Sequence, residues 1–331
     1  MDTMTTPDGV AFLRTPDSAF ADLADYPFPP NAIAFEGLRL HYVDAGPRNG
    51  PTALLLHGMP TWSYLYRHII AALVAAGWRC VAPDYIGFGK SDKVTDEGWY
   101  SIARHTRALR ALVDHLGLHD VTLFCQDWGG PIGLAQAVDT PERVARLVIM
   151  NTWLHHAGYD YTPALRNWNR QWQPGGFFDT VIPERLSIGT LMMLACGFVT
   201  PADLQAHVGA GAPLPLTQEQ ERIRRGYAAP FEGLGRAGLA GARRFPLCLP
   251  FDNPEGGDSA AQERRFRALE QWTKPVHFIW GGQDDVFTES WGRQWAATFP
   301  QATFDLLPDA RHFLQETHGR EIARIFLERS R

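Results

Sequence analysis

Short apolar segments alternate along the chain with longer stretches in which apolar and polar residues are mixed. Residues 39–44 alternate between apolar and polar side chains with a period of two, which is typical of a half-buried β-strand. Residues 52–56 are almost continuously apolar and end at a His-Gly pair, as a strand inside a parallel sheet would. Five more segments of this kind predict further strands at 79–83, 121–125, 146–150, 276–280 and 303–307.

The stretches between these strands are long enough to form helices. Helices are predicted at 62–76, 101–116, 130–139 and 289–298. Because strand and helix follow one another in turn, the pattern predicts an α/β fold, with a mostly parallel sheet and helices on both of its faces.

The alternation of strand and helix is interrupted in the middle of the chain. This part is rich in tryptophan and contains a Pro/Gly/Ala loop at 209–215 and a charged helical segment at 218–226. A chain of 331 residues is also long for one compact unit. We therefore predict one core formed by residues 1–155 and 245–331, with an inserted helical cap at 156–244.

The composition narrows the classes of function. Hydrophobic residues make up 45% of the chain and charged residues 20%, so the chain can bury a large core and is not disordered. A net charge of −5 gives no sign of nucleic acid or an anionic membrane as a partner. The cysteines are scattered and predict neither a zinc site nor a disulfide framework, so we expect structural roles for Cys80, Cys125, Cys196 and Cys248.

The ends of the chain and its apolar segments bear on its location. The first residues lack a basic stretch followed by an apolar one, so no signal peptide is predicted. The longest apolar segments, at about 69–76 and 191–199, are too short to span a bilayer. We expect a soluble, cytoplasmic protein without a membrane partner, either a monomer or a weak homo-oligomer.

A candidate nucleophile follows the apolar strand at 121–125. The strand leads into the turn Cys125-Gln-Asp127-Trp128-Gly129 and then into a helix, which is the layout of a nucleophile elbow with Asp in the central position. The small residues that the sharp turn needs are Cys125 and Gly129, two positions before and after Asp127, and the helix N-terminus favours a negative charge there. The alternative is an aspartate that only caps the following helix.

Three other segments add the remaining parts of a hydrolytic site. His57-Gly58-Met59-Pro60 follows the strand at 52–56, where the backbone N–H groups of Met59 and Trp128 would form an oxyanion hole. Asp284 follows the strand at 276–280 in a tight glycine turn, and its offset from that turn favours it over Asp285. His312 lies in the loop after the last predicted strand.

The order of these residues is more informative than any one of them. Taken singly, Asp284 is a turn-stabilising aspartate and His312 a solvated loop histidine. Together, Asp127, Asp284 and His312 follow the nucleophile–acid–base order of α/β-hydrolases, each placed after a strand. The set therefore predicts a catalytic triad.

An aspartate nucleophile restricts the reaction. Its ordinary pKa of about 3.9 leaves it ionised at neutral pH, and it is suited to attack a saturated carbon. The product is an alkyl ester of Asp127. We expect His312 to deprotonate the water that cleaves the ester while Asp284 orients the imidazole. The N–H groups of Met59 and Trp128 would stabilise the resulting oxyanion.

The leaving group then decides the class of substrate. A halide needs hydrogen-bond donors, and the indole N–H of Trp128, next to the nucleophile, is such a donor. An epoxide oxygen instead needs a proton, for which Tyr159, Tyr161 and Tyr227 of the predicted cap are candidates. Epoxide hydrolysis is therefore the alternative to dehalogenation. A third interpretation is a non-catalytic binding protein on the same scaffold, but the complete triad argues against it because a binding protein does not need one.

Several motifs resemble those of haloalkane dehalogenases, and the resemblance covers nearly the whole chain. It implies an α/β-hydrolase fold with an eight-stranded sheet, a helical cap, a buried apolar pocket and no cofactor or metal. The opening segment is similar to that of the subfamily typified by the dichloroethane-degrading enzyme. The motifs are Gln126-Asp-Trp-Gly-Gly130, Pro60-Thr-Trp-Ser-Tyr-Leu-Tyr-Arg67, Pro83-Asp-Tyr-Ile-Gly-Phe-Gly-Lys-Ser-Asp-Lys93, Tyr227-Ala-Ala-Pro-Phe231, and Leu13-Arg-Thr-Pro-Asp17 with Tyr26-Pro-Phe28.

Three positions depart from the pattern of that family. Met59 stands where the family carries Glu or Asn, and Leu194 stands about where the subfamily has a second halide-binding Trp. Arg311 precedes His312 where the family usually has Gly. The resemblance thus implies intact covalent machinery with an incomplete halide site. Three tryptophans are candidates for the missing donor, although packing is the expected role of Trp153, Trp168 and Trp172.

Overall fold

The computed structural model describes residues 2–330. Its centre is an eight-stranded sheet, and a small three-stranded antiparallel sheet lies near the N-terminus. The strands in the described residues are β1 (Met4–Thr5), β2 (Ala11–Leu13), β3 (Asn31–Phe35), β4 (Leu38–Ala45), β5 (Thr52–Leu56), β6 (Arg79–Pro83), β7 (Lys93–Val94), β8 (Val121–Gln126), β9 (Val144–Met150), β10 (Val276–Gly281) and β11 (Thr303–Leu307).

The main sheet has the order β11-β10-β9-β8-β5-β6-β4-β3. Strand β4 is antiparallel to β3 and β6, and the other neighbouring pairs are parallel. This confirms the predicted α/β-hydrolase fold and its mostly parallel sheet of eight strands. Strands β5 and β8 lie side by side, so the loops that follow them leave the same edge of the sheet.

Helices cover the sheet and fill the middle of the chain. Those in the described residues are α1 (Arg67–Ala75), α2 (Ile102–His115), α3 (Gly129–Asp139), α4 (Pro163–Trp172), α5 (Phe177–Val181), α6 (Ile188–Ala195), α7 (Pro201–Ala210), α8 (Gln218–Ala228), α9 (Gly235–Gly238), α10 (Ala240–Arg244), α11 (Ser259–Leu269), α12 (Glu289–Ala296) and α13 (Leu314–Arg329). Within residues 2–330, no helix combines the length and the apolar character needed to cross a membrane.

The region between β9 and α11 is helical, as the loss of alternation predicts, and residues 151–258 contain no strand. Its helices have well-defined starts. Thr200 and Thr217 begin α7 and α8 with reciprocal capping boxes, in which the threonine hydroxyl accepts from the backbone three residues on. These contacts satisfy backbone donors that the first helical turn leaves without partners.

A buried polar network joins α8 to the rest of the molecule. The Arg67 guanidinium donates to both carboxylate oxygens of Glu316, at 2.7 Å and 2.6 Å, and the Tyr227 hydroxyl donates to Glu316 Oε2 at 2.5 Å. The side chains of Arg67 and Glu316 are at most 1% exposed, and Tyr227 is fully buried. Burial makes this ion pair costly to break, because either partner alone would be an uncompensated charge.

The turn between β8 and α3 requires glycine because the helix starts very close to the sheet. A Cβ atom on Gly129 would lie 2.4 Å from the Leu56 carbonyl oxygen, and one on Gly130 would lie 2.0 Å from Thr152 Oγ1. A Cβ atom on Gly133, one turn further on, would lie 2.3 Å from Leu56 Cδ1. These glycines let α3 begin directly behind β5 and bring the residue before them to the edge of the sheet.

Candidate active site

Asp127 occupies the sharp turn between β8 and α3. Its φ of 50° lies in the left-handed region, which is unusual for residues other than glycine and in which Asp and Asn are enriched. Its backbone is held on both sides, since its N–H donates to the Asn151 carbonyl at 3.0 Å and its carbonyl accepts from Thr152 Oγ1 at 2.5 Å. The turn thereby directs a carboxylate that is only 6% exposed above the sheet edge.

The two oxygens of the Asp127 carboxylate have different surroundings. Oδ2 accepts a hydrogen bond of 2.8 Å from the Met59 backbone N–H, and the Trp128 N–H is near enough to favour the ionised carboxylate. Oδ1 lies 3.7 Å from His312 Nε2. A side chain at Gly58 would collide with Asp127, because its Cβ would lie 2.3 Å from Oδ2. The structure therefore places one of the two predicted backbone donors, the Met59 N–H, at Oδ2.

His312 lies between two carboxylates. Its Nδ1 is 2.8 Å from Asp284 Oδ2, so this nitrogen carries the proton in the neutral ring and Nε2 faces Asp127 with its lone pair. The Gln126 amide nitrogen lies 3.2 Å from His312 Nε2 and donates to the His312 carbonyl at 3.1 Å. The structure thus brings together the three residues that the sequence predicts as a triad.

Asp284 is fixed by contacts with its own loop and with β9. Its Oδ1 accepts from the backbone N–H groups of Val286 and Phe287, at 2.8 Å and 3.2 Å. Its Oδ2, already bonded to the histidine, also accepts from Asn151 Nδ2 at 2.8 Å. Asp285, the sequence alternative, is exposed to solvent.

Asn151 was missed by the sequence reasoning. Besides its bond to Asp284, it accepts from the Gly281 N–H at 2.7 Å and donates to the Gly281 carbonyl at 3.2 Å. It is fully buried and has a φ of 27°. The available signal was its place directly after a predicted strand, where polar residues of parallel sheets gather at one edge.

Burial and ion pairing act in opposite directions on the charged groups of the site. Burial raises the pKa of Asp127 to about 6, although the nearby His312 and the Met59 and Trp128 N–H groups favour the carboxylate. Burial alone would lower the pKa of His312, but the charges of Asp284 and Asp127 and the hydrogen bond to Asp284 outweigh it and raise that pKa. Asp127 therefore changes protonation closer to neutrality than a free aspartate does, and His312 holds its proton more firmly than a free histidine does.

A pocket of about 590 Å³ opens above the nucleophile. Most of its wall is apolar and comes from the helices between β9 and α11 as well as from the sheet edge. A pocket of this size and character suits a small apolar ligand. The wall includes Met59, Asp127, Trp128, Leu194, Arg311 and His312.

The tyrosines considered for an epoxide hydrolase lie outside this pocket. Tyr227 is fully buried and bonded to Glu316, and the Tyr161 hydroxyl lies 2.8 Å from His155 Nδ1. Tyr159 packs edge-on against Tyr161 and Trp291. As far as residues 2–330 form it, the wall of the pocket contains no tyrosine. The expectation that cap tyrosines could act as acids at this nucleophile is therefore wrong.

The three tryptophans considered as halide donors also differ in position. Trp153 and Trp168 line the pocket, whereas Trp172 is buried away from it. The Trp153 ring stacks on Phe287 at 4.9 Å and meets Trp128 edge-on at 4.7 Å. These ring contacts show that Trp153 packs against its neighbours, whereas its buried indole N–H has no hydrogen-bond partner in the described residues and stays a candidate donor. Leu194 lies in the wall at the position where the family pattern has a donor.

The part of the chain that the structure describes offers no group of three or more His, Cys, Asp or Glu side chains arranged to hold a metal ion. All four cysteines are buried and free. Burial raises the pKa of the Cys125 thiol, next to the nucleophile turn, so that it stays protonated.

Comparisons with known proteins give a consistent result. A family model described as alpha/beta hydrolase fold matches residues 51–319. A haloalkane dehalogenase of Psychrobacter cryohalolentis is 35% identical over 324 residues, covering 96% of this chain and 97% of that protein. A haloalkane dehalogenase of Mycolicibacterium paratuberculosis is 37% identical over 323 residues, covering 94% of this chain and 95% of that protein.

Solved structures that resemble this chain are also haloalkane dehalogenases. A tetrameric haloalkane dehalogenase from Paraglaciecola agarilytica NO2 superposes with a TM-score of 0.79 at 31% identity, over 95% of this chain and 97% of that one. A haloalkane dehalogenase from Agrobacterium tumefaciens C58 gives a TM-score of 0.72 at 27% identity, over 94% of this chain and 97% of that one.

Proposed function

This chain belongs to the haloalkane dehalogenases of the α/β-hydrolase fold, and we propose that Asp127, His312 and Asp284 carry out its reaction. The enzyme hydrolyses haloalkanes to an alcohol and a halide through an aspartyl ester. The observation that supports our assignment most strongly is the asymmetric environment of Asp127, with the Met59 backbone N–H at Oδ2 and an imidazole beside Oδ1.

In the first step, Asp127 Oδ1 attacks the carbon that bears the halogen. Oδ2 is held by the Met59 N–H, so Oδ1 is the oxygen that is free to react. The new carbon–oxygen bond forms as the carbon–halogen bond breaks, and the halide leaves with the bonding electron pair. We assign its stabilisation to the indole N–H of Trp128, which donates a hydrogen bond and requires none.

In the second step, His312 Nε2 removes a proton from water, and the resulting hydroxide adds to the carbonyl carbon of the ester. The negative charge develops on Oδ2, where the N–H groups of Met59 and Trp128 receive it. The intermediate then expels the alkoxide, which takes the proton from the imidazolium. Asp127 is left as a carboxylic acid and releases its proton, which leaves the enzyme with the halide and restores the carboxylate. Asp284, at 2.8 Å from Nδ1, stabilises the imidazolium while it exists.

We further propose that residues 156–244 form the cap that closes the pocket. Helices α4 and α6 support this, since Leu165, Trp168, Leu191 and Leu194 contribute to its apolar wall. The substrate would accordingly be a small apolar halogenated compound, with water as the second reactant. The only large hydrophobic side chains exposed in residues 2–330 are Met4 and Phe177, which favours a monomer or a weak homo-oligomer. Light scattering of the purified protein measures this.

The decisive experiment is halide release from a panel of bromo- and iodoalkanes, with an epoxide panel beside it. We expect bromide release from the unaltered enzyme and none above background from Asp127→Ala. Asp285→Asn, which removes an exposed neighbouring carboxylate, serves as the matched control and should retain activity. Diol formation from epoxides without halide release would overturn the proposal.

A second variant tests the order of the two steps. In His312→Gln the nucleophile remains but the base is absent, so alkylation should proceed and hydrolysis should not. Mass spectrometry of the peptide containing Asp127 is then expected to detect the added alkyl group. An unmodified peptide after prolonged exposure to a substrate that the unaltered enzyme consumes would mean that Asp127 is not the nucleophile.

A further inference from the structure

Arg311 is a cation in the pocket wall that has no role in the steps above. It directly precedes His312 and is exposed. The ion pairs of its loop are formed by His312 with Asp127 and Asp284 and by His318 with Asp309. Within residues 2–330, no carboxylate oxygen lies within 4.0 Å of the Arg311 guanidinium. Its N–H groups are therefore free to meet a ligand.

The Arg311 side chain lies against the backbone of Gly197. A Cβ on Gly197 would lie 2.7 Å from Arg311 Nε and 2.9 Å from Cζ, so the guanidinium packs directly on this residue. Gly197 has a φ of 79° and follows α6, the helix that carries Leu194. The guanidinium thus lies beside the turn after the helix that lacks the expected halide donor.

The chemistry of this group selects anions. A guanidinium is always charged, offers five N–H donors in one plane and accepts no hydrogen bond. Two kinds of anion would come close to the guanidinium. One is the halide that leaves the pocket, and the other is a carboxylate at the end of a substrate remote from the halogen. We propose that Arg311 is an anion-binding residue of the active-site pocket, for the released halide or for the carboxylate of an ω-halocarboxylate. This proposal rests on the proposed function.

Negative groups in the same wall oppose this attraction. Asp285 is exposed at the wall, and Asp127 and Asp284 lie deeper, where His312 partly balances them. The contribution of Arg311 is therefore best measured as a difference between variants or between two substrates that differ only in charge. Arg320 offers a matched control, because it is an exposed arginine of α13 that does not line the pocket.

The first measurement is the binding of bromide, followed by quenching of tryptophan fluorescence at low ionic strength, where charge effects are least screened. We expect the bromide Kd to rise about three- to fivefold in Arg311→Gln, which corresponds to one moderately screened charge interaction. Arg320→Gln should leave it unchanged, and Arg311→Lys should restore most of the affinity. This readout does not depend on turnover.

The second measurement compares 6-bromohexanoate with 6-bromohexanamide, which match in length but differ in charge. We expect the ratio of their kcat/KM values to fall about three- to fivefold in Arg311→Gln and to stay constant in Arg320→Gln. A change in bromide affinity alone would identify the halide as the ligand, and a change in the ratio alone would identify the carboxylate.

An Arg311→Gln enzyme with the bromide Kd and the substrate ratio of the unaltered protein would overturn the proposal. Failure of the proposed function would look different, since the unaltered enzyme would then release no bromide from either compound. The fluorescence measurement would still report in that case whether Arg311 contributes to anion binding.

Discussion

At the scale of single residues, the nucleophile works under two unfavourable conditions. Asp127 has a positive φ, and its carboxylate is buried among groups that stabilise its negative charge less well than water does. Burial raises the pKa of this carboxyl to about 6, which means that the folded protein disfavours its charged form. Such costs are common where a reactive group is held ready for chemistry. Removing the negative charge of Asp127 should therefore increase the stability of the fold at a pH where the carboxylate is ionised.

Replacing Asp127 by Asn should raise the melting temperature at pH 8. The pKa of Asp127 is about 6 in the folded protein, above its ordinary 3.8, so its protonation stabilises the fold below about pH 4 and this stability is lost as the pH rises through 6. The neutral amide avoids that loss. We expect an increase of about 2 °C or more at pH 8 that disappears by pH 4.5. Thermal unfolding at both pH values measures it, with Asp285→Asn as control, and an equal shift at both would contradict the explanation.

The two chemical steps should respond differently to pH. Ester hydrolysis needs a neutral His312. Asp127 carries no charge in the ester, so Asp284 alone favours the protonated imidazole in this step, and hydrolysis should accelerate as the pH rises and that proton is lost. Alkylation needs only the Asp127 carboxylate, whose pKa is about 6. Rapid-quench experiments should therefore find more alkyl-enzyme at pH 6.5 than at pH 8.5. The same amount at both values would count against His312 as the base.

At the scale of elements, the sequence predicts what regular patterns encode. Every strand that it predicts in the core is present, and the nucleophile turn lies between β8 and α3 as expected. Strand β3 was missed because its side chains alternate between half-buried and exposed, which leaves little apolar signal. Asn151 was missed because its function depends on a neighbour 133 residues away in the chain, and a single sequence does not reveal such a contact.

Helix α8 depends on a glycine for its contact with the core. A Cβ on Gly226 would lie 2.5 Å from Tyr64 Cζ, and the Gly226 carbonyl accepts from Trp62 Nε1 at 3.2 Å. Gly226→Ala should therefore destabilise the protein by about 1–3 kcal/mol, as overpacking usually does. Gly209→Ala is the matched control on α7, where a Cβ meets nothing within 4 Å and alanine favours the helix. Denaturant unfolding measures both, and equal effects would disprove the packing argument.

At the scale of the whole molecule, the network of Arg67, Glu316 and Tyr227 connects the helical region to the core. The Tyr227 hydroxyl contributes one of the hydrogen bonds that hold the Glu316 carboxylate in the interior. Because the Tyr227 ring also packs edge-on against the fully buried Tyr64, unfolding of the helical region alone would expose aromatic surface of the core, so the two parts should unfold together.

Tyr227→Phe should lower the free energy of unfolding by about 2 kcal/mol, which is typical of a hydrogen bond to a charged group. We expect circular dichroism and tryptophan fluorescence to report one coincident transition in both the unaltered protein and the variant, because the aromatic ring at this position keeps its contact with Tyr64. Two separate transitions in the unaltered protein would show that the helical region and the core are not coupled in this way.

The contact between the Met59 amide and one oxygen of Asp127 has a consequence for the origin of the product's oxygen. The oxygen on the imidazole side leaves in the alcohol and water replaces it, whereas the oxygen held by the amide remains. Each alcohol therefore carries the oxygen that water delivered in the preceding cycle. Enzyme transferred into heavy-oxygen water should release unlabelled alcohol in its first cycle and labelled alcohol afterwards. The isotope in the alcohol thus reports the water of the cycle before.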